Sequence, residues 1–587
     1  MKTIYNITIR FIIVLAAFSG NITAQESVNR ELTLEREYDP SVQDANKVNT
    51  LPSVKEPVVN KRPIDYATFT MPAEPERELG ILPSGNIMTD IQYNKRRGYL
   101  NFGIGTHLNI NADAGYHILS TDKDQLNIFF SHRSTSANLK YLQQDWDSVK
   151  TKAKLNDNLG GIKFRHQFEQ AALKLGAKYG YSSFNYYGLP GASPFSYAAF
   201  PSSDEYRLID GTNQVNQLME VNAGVESKED AAVGYILDLD YTNFSYKYGL
   251  SKERDGITEH GIGGKLGLSG SFGGNQRVGV GGKFNYFNYS LPSEMSENPS
   301  FENHFEGTLN PYYMIDGDNW HVKLGAKVMF VTGDSSKFFV SPDIAADITV
   351  GSRTVLYLVA DGDIRSNSAY QLSRENRYIH PERGVLPSRT WLDATVGLKS
   401  GVAPGFWFNV FGGYKITDKD YFFIPGLNYE GFANVSNTLS LNSKRLQGGL
   451  EMKYAYQKVF EIMLKGVYNK WDMQKSRIPG YSGIEYEAYG RPEMEFTAGI
   501  TTHPIENLSL GLDYYLTSGR KTYVADSGLD YEKMKNINEL NFTGSYNIND
   551  TFGAYVKLTN LLFRKYELLY GYPLQGFNVM AGININF

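Results

Sequence analysis

The side chains in this 587-residue chain best suited to touching another molecule are aromatic rings gathered in two stretches. Phe184, Tyr186, Tyr187, Phe195, Tyr197 and Tyr206 form the first, interleaved with Gly, Pro and Ser as surface loops are. Tyr421, Phe422, Phe423 and Tyr429 form the second. Rings on exposed loops stack on sugars or anchor a protein partner, which makes these ten the candidate extracellular ligand or partner contacts. The competing explanation is that they belong to a membrane-interface girdle or pack the loops on each other.

Other chemistry is sparse. The nine histidines (His107, His117, His132, His166, His260, His304, His321, His380 and His503) are scattered, with no HExxH pair and no close carboxylate cluster. There is no G-x-S-x-G, and the glycines of Gly261 to Gly267 and Gly279 to Gly282 miss the spacing of a dinucleotide loop. Asp316-Gly317-Asp318-Asn319 resembles half a calcium loop but lacks the later Glu, so it reads as a hairpin turn. No catalytic, cofactor-binding or metal-ligating residue is therefore expected, and the chain does not read as an enzyme. A net charge of −5 is too mild to suggest nucleic acid as a partner.

The elements that must position the rings are strands. Tyr (42), Phe (33) and Gly (57) are plentiful, and rings suit a pleated, half-buried surface. Apolar residues alternate with polar ones through Leu108 to Ala114, Leu446 to Tyr456 and Leu508 to Tyr514. In the last strand Phe577, Val579, Ala581, Ile583, Ile585 and Phe587 share one face, and Asn578, Asn584 and Asn586 the other. A period of two means one apolar and one polar face. Runs of about ten residues suit a tilted membrane crossing better than a sandwich strand of about 5–6. A mean hydropathy of −0.37 is compatible, because lumen-facing residues dilute the lipid-facing ones.

The connections decide the architecture. Short turns at Thr121 to Asp124, Glu169-Gln170, Lys228 to Asp230, Gly273 to Asn275, Asp316 to Asn319, Gly351-Ser352, Ala403-Pro404, Gln457-Lys458, His503 to Glu506 and Asn549-Asp550 alternate with longer stretches. The longer ones lie around 137–156, 188–213, 291–301, 365–388, 422–440, 471–490, 521–535 and 565–574. Long loops at one end and tight turns at the other predict an all-β, transmembrane antiparallel up-and-down β-barrel over 99–587, with about 22 strands. Its expected location is the cell outer membrane, in contact with lipid, and its terminal aromatic residues, Phe577 and Phe587, are the expected membrane-insertion signal for the outer-membrane assembly machinery.

The N-terminus differs. Lys2 and Arg10 flank an apolar run from Phe11 to Phe18, and Ala24-Gln25 offers a cleavage point, so residues 1–24 read as a signal peptide. Residues 25–98 hold seven of the 22 prolines, which excludes a central strand or long helix and predicts an extended periplasmic or lumenal segment. The absence of Cys means that sheet hydrogen bonding, not disulfides, must stabilise an exported chain.

Leu558-Thr559-Asn560-Leu561-Leu562-Phe563-Arg564-Lys565-Tyr566, followed by Tyr570-Gly571-Tyr572-Pro573-Leu574-Gln575-Gly576-Phe577, resembles the end of the TonB-dependent receptor barrel. Arg97 to Gly105 resembles the opening strand of receptor-like barrels of Bacteroidetes. The resemblance covers residues 97–587 and implies transport or binding at the outer membrane. Family members carry a folded plug before the barrel, whereas the proline-rich segment here is too short and irregular for one. The alternative role is a non-transporting assembly subunit that docks surface lipoproteins or another barrel. Strands about 4.8 Å apart give 22 of them a diameter of roughly 40 Å, so the N-terminal segment, inward-folded loops or a partner must fill the lumen.

Overall fold

A computed structural model describes residues 96–587, except 144–148, 190–212, 229–230, 232, 250–254, 293–300, 334–336, 352, 428–433, 458, 477–482, 484 and 524–530. The expected signal peptide, and all of the proline-rich segment except Arg96 to Gly98, lie outside the described residues.

Alternating sequence becomes one antiparallel sheet of 22 strands. Its first seven strands are β1 (Gly98–Gly105), β2 (Asn109–Ser120), β3 (Asp124–Lys140), β4 (Lys150–Gln167), β5 (Ala171–Asn185), β6 (Asn213–Ser227) and β7 (Val233–Tyr246). Then come β8 (Thr258–Phe272), β9 (Gln276–Ser290), β10 (His304–Asp316), β11 (Trp320–Val331), β12 (Lys337–Val350), β13 (Thr354–Arg365) and β14 (Ser388–Ala403). The wall finishes with β15 (Phe406–Leu427), β16 (Asn434–Tyr456), β17 (Phe460–Met473), β18 (Met494–Ile505), β19 (Leu508–Ser518), β20 (Ile537–Asn547), β21 (Phe552–Thr559) and β22 (Asn578–Asn586). Each strand pairs with its sequence neighbours. β1 pairs with β22 in the register Phe102↔Ile583, which closes the sheet and leaves no free edge.

The two faces divide as the alternation requires. Leu237, Leu239, Leu266, Leu268 and Leu324 are about half exposed and point away from the lumen. Between them Asp238, Asp240, Lys265 and Lys323 occupy the opposite face, where Lys323 pairs with Asp343 at 2.5 Å. Water would not tolerate so continuous an apolar belt, and a bilayer requires one. The seam is fastened at Phe587, whose carbonyl accepts from Arg97 and Gly98 N–H at 2.7 Å each. Its half-exposed ring stacks with Tyr116 at 6.2 Å.

Two loop expectations need correction. The stretch 422–440 is mostly strand, because β15 and β16 run for 22 and 23 residues and, after a register shift between Thr417 and Asp420, stay paired through Ile424↔Asn437. A membrane crossing uses only about 9–11 residues, so this hairpin continues well past the bilayer. Likewise β3 and β4 extend to Lys140 and from Lys150, leaving a much shorter connection than 137–156.

Candidate functional site

The connection between β13 and β14, residues 366–387, folds inward and crosses the mouth of the barrel at its long-loop end. It begins by clamping its own base. Asn367, in the left-handed region that Asn tolerates, donates to Leu386 O and Ser388 Oγ at 2.8 Å each. Ser368 caps the following helix, α1 (Ala369–Glu375), by accepting from Gln371 N. The buried carboxylate of Glu259, from β8, accepts from Ala369 N at 2.5 Å, where a helix start favours negative charge.

α1 then lies on an apolar bed. Ala369 and Leu372 are buried with Leu218, Phe244, Tyr246, Ile257 and Tyr289. Polar contacts fix its register: Asn216 of β6 donates to Ser373 Oγ at 3.0 Å, and Glu375 accepts from Arg365 and from the Tyr421 hydroxyl.

Past α1 the chain is tied to both sides of the barrel. Arg377 makes a two-pronged contact with Asp157 of β4, at 3.2 and 3.0 Å. Burial works to lower the Arg377 pKa, but Asp157, joined by Tyr378 and Tyr187, holds the guanidinium above its ordinary value. The Tyr378 ring lies against Tyr187 (5.3 Å) and Tyr572 (4.2 Å). Tyr186, just beyond β5, donates to Ile379 O at 3.2 Å. Ile379 itself bridges in parallel to Ser436 of β16, with Ser436 N to Tyr378 O and His380 N to Ser436 O at 2.8 Å each. β5 and β16 stand half a circumference apart in the closed sheet, and Val435 of β16 packs with Phe184 and Tyr186, so this segment is a strap that crosses the lumen together with the end of the β15–β16 hairpin.

Two cavities flank α1, each about 190 Å³. One is lined by Arg133, Asp157, Leu218, Phe244, Tyr370, Arg374 and Arg377 among others. The second, on the β7–β9 side, has Asp240, Glu259 and Lys283 as its charged groups. Among the described residues no group of His, Asp and Glu could hold a metal ion.

The expected contact rings are placed unevenly. Phe195, Tyr197, Tyr206 and Tyr429 lie outside the described residues. Phe184, Tyr186, Tyr187, Tyr421 and Phe422 are not free loop rings: each is at most 6% exposed. They sit at or just beyond the ends of β5 and in the upper part of β15, where Phe184, Tyr186, Tyr187 and Tyr421 pack the strap or its partners. The partly buried Phe423 packs on the bed of α1 beside Tyr421, and Phe422 joins a neighbouring loop cluster. Packing of the loops on each other explains their burial. Of the terminal aromatics, Phe577 packs on Phe563 at 4.7 Å and Phe587 closes the seam.

Sequence reasoning missed Arg377, Glu259 and Arg520. The last is 1% exposed and donates to the carbonyls of Lys535, Glu567 and Leu568 at 2.8–3.0 Å, tying two long loops together. Their partners are distant in sequence, and no spacing announces them.

No protein-family model matches the chain, and no curated protein matches it. Solved structures do. The siderophore receptor PirA from Acinetobacter baumannii shares 10% identity at a TM-score of 0.62, over 84% of this chain and 80% of that one. The FrpB iron transporter from Neisseria meningitidis shares 11% at 0.63, over 84% and 82%. A ferric enterobactin receptor from Pseudomonas aeruginosa shares 10% at 0.61, over 84% and 80%. The chain has the barrel fold of these receptors and this transporter, with 22 strands, and its continuous apolar belt places the barrel in a lipid bilayer.

Proposed function

We propose that this barrel binds and admits a small solute at the outer membrane, with its long-loop end outward and the 366–387 strap barring the outer mouth. The observation that carries this reading is the strap's attachment to opposite walls by side-chain and backbone contacts alone. Such contacts hold a closed state yet break without covalent change, which is the usual form of a gate. Its structural neighbours are two receptors and an iron transporter, which supports a role of the same broad kind. TonB coupling and a plug concern residues outside the described ones.

The test is permeability. Replacing 366–387 with a short Gly/Ser linker should make cells several-fold more sensitive to vancomycin, which an intact outer membrane excludes. Unchanged sensitivity, also in a barrel lacking 26–90 and with the barrel folded and present at normal levels, would overturn the gate and turn attention to an assembly subunit docking lipoproteins or another barrel.

A further inference from the structure

We propose that the outward face of the β3–β4 hairpin binds the phosphate groups of a glycolipid headgroup, in the bilayer leaflet on the long-loop side. The site lies on the outer surface of the wall and stands whether or not the strap is a gate.

Alternation along the hairpin sets the face. β3 and β4 stay paired up to Lys140↔Lys150. On one side of this ribbon Ala137, Leu139 and Ala153 are buried with Tyr187 and Tyr572. Alternate residues point the other way, and there Lys140, Lys150, Lys152 and Lys154 are all exposed. Lower on that same face lie Ile128, Phe130 and Ile162 of the apolar belt. The lysines therefore look sideways over the bilayer and not into the lumen.

Height follows from the strand. Lys154 and Lys150 stand about 13 and 17 residues above the foot of β4 at Gln167. At about 3.3 Å per residue and a tilt near 40°, these are heights of roughly 33 and 43 Å. The apolar band of such a barrel is about 25 Å tall, and a bilayer with both headgroup layers about 40–45 Å thick. The lysines thus occupy the headgroup layer and the space just above it. Between them and the belt, His132 and Asn158 share a hydrogen bond at 2.8 Å, and Asn158 donates to Asn156 at 2.8 Å. Polar groups suited to sugar hydroxyls stand where acyl chains give way to headgroups.

Charge supplies the driving force. Lys140 lies directly opposite Lys150, and Lys152 and Lys154 follow at alternate positions. Like charges so placed repel across a strand pair. Among the described residues none of the four makes an ion pair, and the outward faces of β2, β5 and β6 bring no carboxylate to the long-loop side. Residues 134–156 as a whole contain these four lysines against two aspartates, Asp145 and Asp147, so the hairpin is cationic by sequence. By contrast, Lys444 on the outward face of β16 is answered by Asp472 at 3.3 Å. A polyanion on the hairpin relieves the repulsion, and lysines near a membrane surface draw anionic lipid. Lys150 to Lys154 alone spans about 13 Å, room for more than one phosphate, which favours a multiply phosphorylated glycolipid over a simple phospholipid.

Native mass spectrometry of the full-length chain in nonionic detergent tests this, with added diphosphoryl lipid A, its dephosphorylated form or phosphatidylcholine. The diphosphoryl form should be held at least tenfold more tightly than either of the others, and inorganic phosphate at equal concentration should not compete. Lys152→Gln/Lys154→Gln should weaken retention tenfold or more, at about fivefold per lysine. Lys123→Gln/Lys228→Gln, the same charge loss at the short-turn end, should leave it unchanged. Lys150→Glu sets a carboxylate opposite Lys140, so it should fold at least as well as the parent and still lose affinity. Three outcomes overturn the proposal: equally firm retention of the dephosphorylated form or phosphatidylcholine, equal competition by inorganic phosphate, or full affinity in both hairpin variants. The comparison of the two lipid A forms uses the unaltered chain, so it decides even if a variant fails to fold.

Discussion

Arg377 shows how single residues organise the mouth of the barrel. Its side chain and that of Asp157 are only 17% and 21% exposed, so each depends on the other for solvation. Arg377→Met should loosen the strap by about 2 kcal/mol, less than the roughly 3–5 kcal/mol of a fully buried pair because some water remains. Hydrogen exchange of the 369–380 amides would read this as faster opening. Asp157→Asn in the same background should add little further loss, and fully additive effects would argue against direct coupling. His380 gives a pH dependence. Burial, aided by Arg383, pulls its pKa down to about 3. A histidine with a depressed folded pKa binds fewer protons folded than unfolded, so its contribution is complete above about 6.5. It is lost as pH falls toward about 3. Strap exchange should therefore quicken below about pH 6.5, and His380→Gln should flatten that response; an identical profile in the variant would remove His380 as its source. None of this was legible in the sequence. Arg377 and Asp157 are 220 residues apart, and the aromatic stretches announced rings without saying which way the chain would turn them.

At the scale of elements, the alternation of apolar and polar residues was enough to place nearly every strand and every tight turn, because lipid on one side and lumen on the other impose a strict period of two. What it could not reveal was how far β15 and β16 run past the bilayer. Beyond the membrane the period persists only through pairing, and Phe422 and Phe423 look the same in a strand as in a loop. The strap escaped for a related reason: seven residues of α1 are too few to show helical periodicity, and their stability comes from Glu259 and the bed of Leu218 and Phe244. Orientation follows from loop length and is directly testable, since the chain has no native Cys. A cysteine at Phe563, exposed in a long loop, should react with an impermeant maleimide on intact cells, and one at Asn549, in a tight turn, should not. The reverse pattern would invert the barrel.

For the whole molecule, the closed sheet is both the fold and its means of residence in the membrane. Closure depends on the last residue. Deleting Phe587 removes the carbonyl that accepts from Arg97 and Gly98 and the ring beside Tyr116, so the fraction of heat-modifiable folded barrel should fall clearly below that of the parent. Normal folded levels would deny Phe587 a part in assembly. A lumen roughly 40 Å across cannot stand open, and among the described residues the strap crosses it together with the end of the β15–β16 hairpin. Residues 26–90 lie outside the described ones, so the strap's share is best isolated without them. The decisive measurement is single-channel conductance in planar bilayers of a barrel lacking 26–90, with and without replacement of 366–387 by a short linker. Strap removal should raise the conductance several-fold, whereas equal conductance in the two barrels would contradict the claim that the strap bars the mouth.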